Sequence, residues 1–426
     1  MKKSKKLSCF ILLTLMLSLV SGCWDRRELE DQAFVQALGL DMAKSGQLLV
    51  TFRIAIPSKS GLGQAGGATG GEGSIAAKSS LLTSVVAPTI PAAITLASSY
   101  VNREINLMHV KTFVFGEGFA RKGVAPIMSI LSRYREFRRN IFICVSAGEA
   151  HKFLERNEPD LEKSYSKWWE GVKMMEDREA IHPGTLYHEF ITDMSSKSKD
   201  PVAIFVAVNK KSQSDDATKI TIPNSFKQGE LDVKSGDIPR TGGNVVEYAG
   251  TAVFKKDKLV DTLTITETRA LLMLSGRFVH GLVTVPDPLQ KKSYIPLEIK
   301  QGSAPIIKVA IEGDEVIIQE KVSLEGDLMA IQGMEEYATN LEKRKLLESA
   351  VKNIIKQRAM FTFKKLQKHD CDAVGYGDYV RRRFLTRQEW MAFDWPSKVD
   401  KARLILEVDF NIRRTGMQGD QPEVYK

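Results

Sequence analysis

The chain has little cysteine and histidine, with four and six residues among 426. Cys9 and Cys23 stand near the N-terminus, so Cys144 and Cys371 are the only later pair, which excludes a disulfide framework. A single bridge between them stays open in an exported protein. However, Cys144 lies in the apolar run Ile141-Phe142-Ile143-Cys144-Val145 and reads as a free, buried strand residue. The histidines are scattered, with no H-E-x-x-H and no cysteine–histidine metal spacing, so no metal and no cofactor are expected. Beyond Val20 no apolar stretch approaches the length of a membrane span. Catalytic sets are missing as well. Ser164-Tyr165-Ser166-Lys167 and Ser196-Lys197-Ser198-Lys199 match S-x-x-K, and Lys234-Ser235-Gly236 loosely resembles K-T-G. An S-D-N element is absent and both serine–lysine sites lie in polar stretches, so the chain reads as no enzyme. The glycine-rich stretch Gly61 to Ser74 has neither a dinucleotide fingerprint nor a Walker lysine, and reads as a surface loop.

What is present begins at the N-terminus. Lys2, Lys3, Lys5 and Lys6 precede an apolar run from Leu7 to Val20, followed by Ser21-Gly22-Cys23. A basic start, a short apolar core and small residues at its end make a secretory signal. A cysteine directly after the small residues resembles a bacterial lipobox, with cleavage after Gly22 and acylation of Cys23. Two or more acyl chains on that residue give stable anchoring to a bilayer. Residues 1–22 therefore belong to the signal, and about 400 residues remain, enough for two or three domains. The net charge of +9 includes the four signal lysines. The modest excess that remains suits proximity to anionic headgroups and gives no case for nucleic acid.

Val50, Phe52, Ile54 and Ile56 alternate with Thr51, Arg53 and Ala55, the period of a half-buried strand. With Ala33 to Leu40 and the turn Lys44-Ser45-Gly46 they predict a hairpin. Helices are expected over Pro91 to Arg103, Phe119 to Tyr134 and Glu149 to Glu155, and strands over Met108 to Phe115 and Ile141 to Ser146. The segment from about Pro159 to Asn244 is more polar, contains the short apolar run Pro201 to Val208 and the Lys/Ser/Asp-rich stretch Lys210 to Lys219, and reads as a smaller middle domain with exposed loops. A third domain is expected from about Val246. It has a hairpin at Thr251 to Leu263, a helix capped by Thr266, strands at Ile295 to Ile299, Ile306 to Ile311 and Val316 to Leu324, and a last strand at Arg403 to Ile412. Between these lies a long helix, about Glu335 to Lys368, with Leu347, Ala350, Val351, Ile354 and Phe361 on one face. The fold class is α+β, with three mixed domains in series behind a lipid anchor: 23–157, 158–244 and 245–426.

Four blocks carry a resemblance. Cys23-Trp24-Asp25-Arg26-Arg27-Glu28-Leu29-Glu30-Asp31 resembles the start of mature Ger(x)C proteins, the lipoprotein C subunits of nutrient germinant receptors in spore-forming bacteria. His109-Val110-Lys111 with Phe115-Gly116-Glu117, Tyr248 to Phe254, and Ile412-Arg413-Arg414-Thr415-Gly416 are similar to later family segments. Asp372-Ala373-Val374-Gly375-Tyr376-Gly377 stands where the family has Asp-Gly-Tyr/Phe-Gly. The glycine-rich loop looks expanded and the middle region has weak motifs. The resemblance implies a non-catalytic subunit required for nutrient-triggered germination, on the outer face of the spore inner membrane. It also implies two integral-membrane partner subunits. A lipid-anchored solute-binding protein of a transporter is the alternative, and would need two similar lobes.

Two smaller features remain. His109 reads as a packed or hydrogen-bonded strand residue. Arg133-Tyr134-Arg135-Glu136-Phe137-Arg138-Arg139 reads first as a helix end with arginines near its carbonyls. A surface for anionic lipid or an acidic partner is the other reading, which makes Trp24, Arg138 and Arg139 candidate contact residues.

Overall fold

The hairpin expected at the start is the seed of a large sheet. A computed structural model describes residues 28–415 apart from 57–79, 163, 214–219, 291 and 331–335, together with residues 8, 10 and 11. The glycine-rich stretch lies outside the described residues. Strands β1 (Gln32–Met42) and β2 (Leu48–Ala55) pair antiparallel, and β3 (Ser80–Ala87) adds at the edge. On the other side of β1 come β4 (Glu104–Asn106) and β5 (Thr112–Gly116), then β6 (Phe142–Ser146) and β7 (Val202–Val208). From β1 through β5 and β6 to β7 every pairing is parallel. Strands β8 (Val246–Lys255) and β9 (Lys258–Leu263) close the far side antiparallel, giving nine strands in the order β3-β2-β1-β5-β6-β7-β8-β9 with β4 on β1.

A parallel sheet needs cover on both faces, and the helices supply it. Helices α1 (Ile90–Val101), α2 (Glu117–Lys122), α3 (Ala125–Arg133) and α6 (Tyr187–Ser195) lie on the face of Leu38, Phe113, Ile143 and Phe205. Helices α4 (Ala150–Arg156) and α5 (Tyr165–Glu179) cover Ala37, Val114, Cys144 and Ile204. The helix expected over Phe119 to Tyr134 is two helices, because Gly123 at φ 123° breaks it. Thr51 and Arg53, expected to face water, are buried. Arg53 Nη1 donates to the carbonyls of Leu154 and Asn157, both at 2.9 Å, under the Tyr165 ring.

The remaining strands form a second sheet, β10 (His280–Pro286), β11 (Tyr294–Glu312), β12 (Glu315–Leu328) and β13 (Arg403–Arg414), in sequence order. The two strands expected at 295–299 and 306–311 are one long β11, irregular between Gln301 and Ile306. β13 alternates buried and exposed residues, so one face of this sheet is covered. The cover is α7 (Ile265–Leu274) and α8 (Leu341–Gln367), with the short α9 (Tyr376–Arg381) and α10 (Arg387–Phe393) completing the core. Helix α7 starts two residues earlier than expected. Thr264, not Thr266, is its cap, in a reciprocal box with Glu267. Along α8 the buried face is Leu347, Val351, Ile355, Ala359 and Phe363, whereas Phe361 is 64% exposed.

The large sheet runs across both expected domain boundaries. The segment read as a smaller middle domain supplies α5, α6 and β7, and the hairpin read as opening a third domain is β8–β9 of the same sheet. The two sheets differ in strand number and order, so the described residues contain no duplicated lobe. Among them no helix is long and apolar enough to cross a membrane.

Candidate functional site: the junction between the two sheets

Two of the sequence blocks noted above meet where the sheets join. Just before β7, Asp200 N donates to Asp372 O at 2.9 Å, and Asp372 N returns a bond to Asp200 Oδ2 at 3.0 Å. Lys255, at the end of β8, brings its ammonium to Asp200 Oδ2 at 3.1 Å, and Lys256 N donates to Oδ1 at 2.9 Å. Lys255 Nζ also bonds Asp370 O, and Cys371 Sγ reaches Phe254 O at 3.3 Å. The Tyr248 to Phe254 block is thus stapled to the Asp372 block by ionic and backbone bonds at once.

Asp372 then organises its own loop. Its Oδ1 accepts from Gly375 N at 2.8 Å and Tyr376 N at 3.0 Å. Its Oδ2 accepts from Gly377 N at 2.7 Å and Trp395 Nε1 at 2.9 Å. Burial pushes this carboxyl up to about 6, and the four donors pull the other way. The glycines have separate reasons. Gly375 sits at φ +95°, and a Cβ on Gly377 would stand 2.3 Å from Ser198 O and 2.5 Å from Trp395 Cδ1. Tyr376 carries the connection onward, donating to Glu320 Oε2 of β12 at 2.5 Å. Burial raises Glu320 to about 8, against the opposing effect of that bond. Both sheets are therefore linked through one six-residue segment.

A second seam lies on the other side of α7. Buried Arg269 donates to Glu179 O at 2.9 Å from Nη2 and to Leu282 O at 2.8 Å from Nη1. Burial lowers its pKa to about 10. Apolar contact is continuous across the seam, since Val202, Val253 and Leu263 of the first sheet belong to the core of the second. An interface with both charged staples and a shared core is a rigid one.

Several side chains of the candidate catalytic pairs have local partners. Ser164 caps α5. Lys199 is paired with Asp193 at 2.8 Å, and Ser196 Oγ bonds Ser198 Oγ at 2.7 Å. Ser235 Oγ bonds Phe205 O and Ala249 O, and Lys234 Nζ bonds Thr262. Cys144 and Cys371 are both free and buried. Among the described residues no group of three or more metal-capable side chains assembles.

The expected cleavage and lipidation positions, Gly22 and Cys23, and the contact candidate Trp24 lie outside the described residues. Arg138 and Arg139 are exposed in the loop between α3 and β6, beyond the helix end where they were expected, because α3 stops at Arg133. His109 is in the turn before β5, not in a strand, with its ring edge-on to Phe34 at 4.8 Å. Sequence reading missed Asp200, Lys255, Arg269 and Glu320. Glu320 carried a signal, being an acid at a position that alternates with the apolar Ile318 and Val322 of β12.

A spore germination protein is what this fold and its motif blocks define. Residues 25–208 match the spore germination protein N-terminal domain, and residues 249–416 match the spore germination B3/GerAC-like C-terminal domain. The chain belongs to the Ger(x)C family of spore germination proteins. It is 27% identical over 388 residues to putative spore germination protein YfkR of Bacillus subtilis (strain 168), covering 90% of each chain. It is 23% identical to spore germination protein KC of the same organism, over 97% of each. Spore germination protein GerQC of Bacillus cereus is 20% identical, over 96% of this chain and 99% of that one. The crystal structure of the GerBC protein shares the fold, with a TM-score of 0.51 at 15% identity, over 91% of this chain and 99% of the other.

Proposed function

We propose that this chain is a lipid-anchored, non-catalytic C subunit of a nutrient germinant receptor. Cys23, acylated after cleavage behind Gly22, would hold it to the outer face of the spore inner membrane, and it would act through contacts with two integral-membrane subunits. The observation that carries this reading is the family match beginning at residue 25, two residues after a lipobox cysteine. Tethering confines the soluble part to a thin layer over the bilayer. Its effective concentration toward membrane partners then rises, and modest interfaces suffice. A rigid junction suits such a subunit, because a shift imposed on one sheet reaches the other through Asp200 and Asp372 instead of dissipating at a hinge. Nutrient binding would then bias a conformational equilibrium shared with the partners. The test is fractionation of spores carrying Cys23→Ala in the full chain. The variant is expected in the soluble fraction without acyl label; a variant bound and acylated like wild type would overturn the anchor.

A further inference from the structure

Strands β1, β5, β6 and β7 are parallel, so their first residues, Gln32, Thr112, Phe142 and Val202, mark one end of the large sheet. The chain enters at that end. Glu28 follows Cys23 by five residues, which reach at most about 18 Å when fully extended. Three hydrogen bonds tie this end to the arginine-rich loop. Gln32 Oε1 accepts from Asn106 Nδ2 at 2.7 Å, Asn106 Oδ1 accepts from Met108 N at 2.9 Å, and Leu107 N donates to Glu136 Oε2 at 3.1 Å. Glu136, the lone acid between Arg133 and Arg139, accepts that last bond. Arg133, Arg135, Arg138 and Arg139 are all exposed, and none has a side-chain partner among the described residues. Arg138 lies near enough to His109 that, after burial, its charge helps to hold the imidazole below its ordinary value. At this end of the sheet Leu29 and Met108 are exposed, 77% and 41%.

We infer that the strands of the large sheet stand upright on the bilayer, with the loop Arg133–Arg139 laid against anionic phospholipid headgroups. The inference rests on the anchor at Cys23 and adds to it an orientation. At the end of the sheet where the tethered chain enters, a loop with four guanidinium groups that have no side-chain partner among the described residues is attracted by the negative surface, at about 1 kcal/mol per charge close to it. The turn Ala43 to Gln47, at the other end of the strands, then faces away from the membrane.

The test uses the full acylated chain on phosphatidylglycerol–phosphatidylcholine vesicles. Either Asn140→Cys or Ser45→Cys is labelled with a fluorophore; Cys144 and Cys371 are buried and stay unlabelled. A headgroup quencher is expected to quench the label at residue 140 several-fold more than the label at residue 45. The difference should collapse on phosphatidylcholine alone, or when Arg135, Arg138 and Arg139 become Gln, with melting unchanged. Equal quenching at both positions, or a difference indifferent to these changes, would overturn the orientation while leaving the anchor standing. A chain that does not float with the vesicles would overturn the anchor and the orientation with it.

Discussion

Asp200 and Asp372 bind each other across the junction, the amide of each donating to the other residue, at 2.9 and 3.0 Å. Two acids side by side would repel, yet each has its own cationic or N–H partners. Asp200 has Lys255 and the amide of Lys256, and Asp372 has three backbone amides and an indole. This division of partners fixes the second sheet to the first.

Asp372→Ala leaves four buried donors without an acceptor. The expected loss is about 3 kcal/mol or more of unfolding free energy, read by urea denaturation. Helix α9 should also exchange its amides faster, since its first turn is held by that carboxylate. Unchanged stability would mean that water replaces the carboxylate.

Glu320 gives a pH signature. Its ordinary value is 4.5 and in the fold it is about 8, so folding takes up a proton at this group. Its stabilising contribution is complete below about 4.5 and is lost as pH rises through about 8. Asp372, raised to about 6 from 3.8, acts in the same direction at lower pH. Glu320→Gln removes the upper part. Wild type and variant should melt alike at pH 5, and the variant should be the more stable at pH 8.5, by on the order of 4 kcal/mol. Parallel pH profiles in calorimetry would contradict this.

How far the fold could be read from residues depended on what each element touches. Alternation at Val50, Phe52 and Ile54 identified β2, but it could not show that Thr51 and Arg53 are buried too, because α4 and α5 come from a distant part of the chain. Helix α5 was hidden by its charge; its buried stripe of Tyr165, Trp169, Val172 and Glu176 has helical spacing but includes an acid. The hairpin β8–β9 was legible as a hairpin, whereas its membership of the first sheet depends on pairing with β7, which no local pattern encodes. The lipobox and the family blocks were legible because they are short and local. The contact between the Phe254 and Asp372 blocks was not, since it bridges residues 117 apart in sequence, as Cys371 to Phe254 shows.

Gly377→Ala should be costly. The added methyl meets Ser198 O and the Trp395 ring, and a backbone oxygen gives less than the far end of a flexible side chain would. About 2 kcal/mol is expected. Gly171→Ala, in α5 with nothing near its Cβ position, is the control and should stabilise by up to about 1 kcal/mol. Equal melting temperatures of the two variants would refute the crowding at Gly377.

The thiols should be inert in the folded chain. Burial pushes Cys144 up to about 12 and Cys371 well above its usual value. Thiol reagents are therefore expected to modify neither until denaturant is added, and melting should be the same with reductant and chelator as without. A drop of several degrees with either would reveal a staple outside the described residues.

The most direct measurement of the central claim is germination of spores lacking the gene, in a background where no related receptor substitutes. Response to the cognate nutrient should be lost, while a trigger that bypasses receptors should still work, and the intact gene should restore the response. Full nutrient germination of the deletion strain would contradict the assignment of this chain to a germinant receptor.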